Sequence, residues 1–146
     1  MNFENIDKVS EYQVKFCRSI GIEVEGDTIG IAAAKIEEKI QISFWNNSEL
    51  GKPTTKQVAL ANKFGVNIEN MSRIVGDAII YDIMIQLNAN AIKSQNLKPG
   101  CQVKNKNEQN GSIYVISSIS PDGTVYFKGG NGKRAWARSL VNVNSP

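Results

Sequence analysis

The sequence predicts an α+β protein: a duplicated helix–loop–helix module of four helices over residues 1–92, followed by five short antiparallel strands over residues 97–146. Three observations carry this. The chain repeats itself at an offset of 44 residues, apolar residues in both copies recur at helical spacing, and from Gly100 onward the apolar period drops to two.

The repeat covers about residues 10–42 and 54–86. Residues 13–25 lie over residues 57–69 without a gap, with Gly21 on Gly65, and the match continues. Thr28 meets Ser72, Ile31 meets Val75, Ala34 meets Ala78, Ile36 meets Ile80, Glu38 meets Asp82 and Ile40 meets Met84. In each copy a first helix opens on a hydroxyl cap, Ser10 in one and Thr54 or Thr55 in the other, with Pro53 suited to the approach. Val14, Cys17 and Ile20 form one apolar stripe, and Val58, Ala61 and Phe64 its counterpart. Gly21 and Gly65 stand where a left-handed helix end belongs. An extended link follows, Ile22–Val24 and Val66–Ile68, whose branched residues tuck under both helices. Thr28 and Ser72 cap the second helices. Their inward faces are Ile29, Ala32, Ala33, Ile36 and Ile40 in one, and Val75, Ala78, Ile79, Ile83 and Leu87 in the other. Between the copies, Asn46–Ser48 and Gly51–Pro53 have loop chemistry, and Phe44 and Trp45 are expected to plug the seam. Residues 88–96 are expected to fray the last helix before Leu97–Gly100 breaks it.

A pair of short helices around an extended link resembles the SAP/LEM type of unit, many of whose members bind DNA. The resemblance rests on arrangement and length alone. The acidic residues of the first copy (Glu23, Glu25, Asp27, Glu37, Glu38) argue against its lying on phosphates, so a helical scaffold or protein-docking module is the expectation.

The strands are expected at 102–106, 112–119, 123–128, 134–138 and 140–143, with Pro121–Gly123 as a tight turn between the second and third. Pro99–Val103, Tyr114–Ile119 and Asp122–Val125 are similar to the P-G-x-x-V, Y-x-V-x-x-I and D-G-x-V steps of small SH3-like barrels, including the KOW and Tudor types. Val115 sits one position off the family's second step, which leaves the facing of that strand open. The resemblance implies a fold and no particular activity.

Function is concentrated in residues 126–138, where four cations and three aromatics flank a Gly129–Gly132 tip. Glycines there allow positive φ at a turn. Strand alternation then puts Tyr126, Lys128, Arg134, Trp136 and Arg138 on one wet face, opposite Val125, Phe127, Ala135 and Ala137. A one-residue slip would invert it. Residues 1–96 carry 10 Lys/Arg and 12 Asp/Glu, whereas residues 97–146 carry 7 against 2, so the positive charge is local to the final third. That is where a polyanion would be held.

The expected function is therefore non-catalytic nucleic-acid binding, DNA ahead of RNA. Lys104, Lys106, Lys128, Lys133, Arg134 and Arg138 would meet phosphates, and Tyr126 and Trp136 would stack. The alternative is a protein-interaction adaptor or inhibitor docking through the helical module and barrel, possible for an aromatic groove but disfavoured by its basic charge. A larger protein partner for the helical module fits either reading. No enzyme is expected. The chain has no histidine, two isolated cysteines, and a glycine-rich tip followed by Lys133-Arg134-Ala135, which does not fit a phosphate-binding loop. No metal and no cofactor are implied. No basic leader with an apolar run opens the chain and no stretch is long enough to span a bilayer, so a cytoplasmic location is expected.

Overall fold

A computed structural model describes residues 6–129 and 131–144. Four helices precede a five-stranded antiparallel sheet, the α+β arrangement the sequence predicts. The chain divides into two compact units, Met1–Ile83 and Met84–Pro146. The division falls inside the fourth helix, ahead of the sequence-based boundary at 92–97.

In the first unit, α1 (Glu11–Ser19) and α3 (Thr55–Lys63) begin with reciprocal caps. The Ser10 hydroxyl accepts the Gln13 N–H at 3.2 Å while the Gln13 side chain accepts the Ser10 N–H at 2.8 Å. Thr54 and Gln57 repeat the pattern at 3.2 and 2.9 Å. Each pair satisfies donors that a helix start leaves open. Gly21 and Gly65 take φ of 82° and 76°, the left-handed conformation that stops each helix. The links that follow are pinned from below, with Ile22, Val24 and Ile68 all buried. The Thr28 hydroxyl accepts from the Ile31 N–H to start α2 (Ile29–Ser43), and Ser72 accepts from the Val75 N–H at the head of α4 (Arg73–Ser94). Gly76 is needed on α4, because a Cβ there would lie 2.6 Å from the Pro53 ring. The cluster formed by Cys17, Ile22, Val24 and Ala32 takes in Val9, Val14 and Ile36.

Three expectations for this unit are corrected. Phe44 and Trp45 are 79% and 72% exposed and plug no seam, because α2 ends at Ser43 and its last residues lead away from the core. Ile20 is exposed, since the helix ends one residue before it. Ile29 and Ala33 are exposed too, and face an open groove beside α1.

In the second unit the strands are β1 (Gln102–Asn105), β2 (Ile113–Ile119), β3 (Thr124–Phe127), β4 (Arg134–Trp136) and β5 (Leu140–Asn142), ordered β4-β3-β2-β1-β5. The fourth strand is shorter than expected: Ala137–Ser139 form a 3-10 turn that leads into β5. The pairing register shifts between Ile116 and Ser118, so β2 bends and passes from β1 on one side to β3 on the other. The sheet thereby wraps a core of Val103, Ile116, Val125, Phe127, Ala137 and Leu140. Val103 stands opposite Tyr114 and Ile116 opposite Phe127, which turns Tyr114 inward and Val115 outward and settles the facing of β2.

The end of α4 does not fray at Asn88. It stays helical to Ser94, and Ala91, Ile92 and Leu97 join the sheet's core. Asn88 is buried, and its amide donates to the Asp122 carbonyl at 3.0 Å. Gly123 makes this approach possible: with φ of 89°, a Cβ on it would lie 2.2 Å from that of Asn88.

Candidate functional site

The β3–β4 hairpin has the facing that alternation predicts. Val125 and Phe127 are buried, and their neighbours turn outward. Thr124 stands opposite Trp136 and Tyr126 opposite Arg134, so four outward side chains from two strands share one surface. They line an open hollow of about 520 Å³, with Asp122 at one end. Trp136 is 41% exposed, unusual for the largest apolar side chain in so small a unit. Of the tip, Gly129 and Gly132 take φ of 121° and 66°, and Gly130 lies outside the described residues.

Arg138 reaches the same surface from the 3-10 turn. Its guanidinium lies 5.1 Å from the centroid of the Trp136 ring, a cation–π contact. The Asn88 side-chain oxygen accepts both its backbone N–H, at 3.2 Å, and a guanidinium N–H, at 3.3 Å. Partial burial pulls the Arg138 pKa below the usual arginine value. Asn88 therefore positions a cation over an exposed indole. Sequence reasoning missed it because an Asn among Asn and Ala residues near a helix end looks like a frayed terminus; its partners lie 34 and 50 positions away.

The other cations are dispersed. Lys133 turns to the opposite side, 4.4 Å above the Tyr114 ring and 3.5 Å from the Glu108 carboxylate. The Tyr114 hydroxyl raises its pKa, and Tyr114 in turn stacks on Phe127 at 4.8 Å. Lys106 points to the Arg138 carbonyl at 3.4 Å. Lys128 continues outward beyond β3, its N–H bonded to the Val115 carbonyl. Lys104 is outward on β1 opposite Ile113, two strands from β3 and so about 10 Å away along the sheet. Among the described residues, the side chains of Lys104, Lys128 and Arg134 have no ion-pair or hydrogen-bond partner. The structure thus brings Tyr126, Arg134, Trp136 and Arg138 together, keeps Lys128 on the same outer surface, and sets Lys104, Lys106 and Lys133 apart.

Asp122 is the acidic member. The Ser120 hydroxyl and the Thr124 N–H both donate to its Oδ1, at 2.5 and 2.9 Å, and hold its pKa below the ordinary value. It is a turn carboxylate, occupied in shaping the β2–β3 connection. Among the described residues no three His, Cys, Asp or Glu side chains cluster as metal ligands would, and no helix is long and apolar enough to cross a membrane.

No family model, curated protein or solved structure matches this chain.

Proposed function

We propose that the chain binds nucleic acid, without catalysis, through the outer face of the β3–β4 hairpin. The observation that carries this reading is the exposed Trp136 indole with the Arg138 guanidinium over it, beside Tyr126 and Arg134 on one surface. An exposed indole can stack an unpaired base regardless of sequence, and adjacent guanidinium groups can meet the phosphates on either side of it. Tyr126 on β3 and Lys128 just past its end extend the surface along the hairpin. Because Lys133 is paired with Glu108 and Lys104 lies elsewhere, only about three cations contact the backbone, and the log–log salt slope is near −2 on a single strand.

Asp122 at the end of the hollow favours a second reading, a protein segment carrying a basic side chain, for which a carboxylate beside aromatics is suitable. A gel shift with single-stranded DNA, RNA and duplex at two salt concentrations separates the two. Salt-sensitive retention of a single strand supports the first reading. No retention of any of the three at low salt overturns it in favour of the second.

A further inference from the structure

We propose, resting on the nucleic-acid reading above, that the hollow beside Trp136 selects guanine among unpaired bases, with Asp122 as the residue that determines the choice. Asp122 lines this hollow together with Thr124, Tyr126, Arg134 and Trp136. Thr124 stands directly opposite Trp136 in the pairing of β3 with β4, and its N–H donates to the Asp122 Oδ1 at 2.9 Å. The carboxylate is thereby fixed at the Trp136 end of the hollow.

Two observations point to a ligand that brings hydrogen-bond donors. The Ser120 hydroxyl and the Thr124 N–H both bond Oδ1, so neither uses Oδ2. A carboxylate has about four acceptor positions, and shaping the turn leaves those of the second oxygen to be matched. These bonds, with a smaller contribution from the Thr124 hydroxyl, favour the ionised form, which accepts and cannot donate. Asp122 also forms no ion pair among the described residues, although Arg134 lines the same hollow. A bare negative charge in a site for a polyanion is repelled by phosphates and suits a donor-bearing base edge.

Guanine is the base that fits. Its pairing edge carries two adjacent donors, N1–H and the N2 amino group, so the carboxylate meets donors only. Adenine and cytosine each set an amino donor beside a ring-nitrogen acceptor. Thymine and uracil set one N–H between two carbonyls. Each of these brings an acceptor against the ionised carboxylate, and that repulsion discriminates as much as the attraction does. Stacking on the indole is indifferent to base identity, so the choice falls to Asp122.

The test measures binding of short oligothymidylates at low salt, unsubstituted or carrying one central dG, dA, dC or deoxyinosine. The dG strand should bind about fivefold or more tighter than the dA, dC and unsubstituted strands. Deoxyinosine lacks the N2 amino group and should fall between, with the protein unchanged. Asp122→Asn keeps an oxygen for Ser120 and Thr124 and puts an amide donor in place of Oδ2. It should still bind every strand but lose the preference for dG, with its melting temperature near that of wild type. A wild type that holds all the strands equally, or a folded Asp122→Asn that keeps the preference, overturns the guanine assignment and leaves the nucleic-acid reading standing. If Asp122→Asn does not fold, the wild-type comparison of dG with deoxyinosine decides, and equal affinity overturns the assignment. Failure of every strand to bind overturns the nucleic-acid reading, and this assignment with it.

Discussion

The Thr28 hydroxyl of the first repeat donates a hydrogen bond to the buried Asp82 carboxylate of the second. The reverse bond is also present, from Ser72 of the second repeat to Glu38 of the first. Positions 28 and 72 correspond in the repeat, as do 38 and 82. Each copy's helix cap is thus fastened to the equivalent carboxylate of the other. The two halves hold each other as symmetric subunits do.

Burial raises the Asp82 pKa above the ordinary carboxylate value, outweighing the opposing pull of the Thr28 hydroxyl. The folded chain therefore holds this proton more tightly than the unfolded one. The resulting stability is present below the unfolded pKa and lost as pH rises through the folded one. Asp82→Asn keeps an acceptor for Thr28 without a buried charge. It should be more stable than wild type by about 1 kcal/mol at neutral pH, with the difference disappearing toward about pH 4. Urea melts across that range check this, and a constant difference at every pH would contradict it.

The repeat, the caps and the strand alternation were legible because each is a local pattern of side-chain size, hydroxyl placement and glycine. The facing of Trp136 followed from alternation along a single hairpin. What could not be read depends on contacts distant in sequence. Asn88 looks like helix-end chemistry until the Asp122 carbonyl and Arg138 approach it, and Lys133 looks free until Glu108 is brought beside it. Phe44 and Trp45 illustrate the converse, since bulk and apolarity place a residue inside only when the chain's path leads there.

Gly123→Ala should destabilise the second unit by about 3 kcal/mol, combining left-handed strain with overlap on Asn88. Gly111→Ala, also at positive φ but with nothing within 4 Å of its Cβ, should cost only about 1 kcal/mol. Thermal unfolding of the two variants compares them; equal losses would mean that the Asn88 approach is not tight.

Residues 97–146 by themselves lack Asn88, Ile92 and Gln95, which hold Arg138, the core and Asn142. A fragment of residues 84–146 should show dispersed amide resonances, and one of residues 97–146 should lose most of that dispersion. Equal dispersion from both would show that the helix end contributes no stability to the sheet.

Arg134→Ala should flatten the salt dependence of single-strand binding by about 0.7 of a unit, because its side chain is unpaired on the aromatic face. Lys133→Ala should change the slope little, its charge being met by Glu108. Filter binding at four salt concentrations distinguishes them, and the opposite ranking would move the interface to the Tyr114 side.

Trp136 itself gives the most direct readout. Trp45→Phe leaves it as the single indole of the chain. Titrating that variant with a single-stranded oligonucleotide at low salt should quench the tryptophan fluorescence saturably, with quenching reversed by added salt. Trp136→Ala in the wild-type chain should weaken binding by about 1–3 kcal/mol, the worth of one stacked base, while leaving the melting temperature nearly unchanged. Binding without quenching, or unaltered affinity in folded Trp136→Ala, would contradict the assignment of this face.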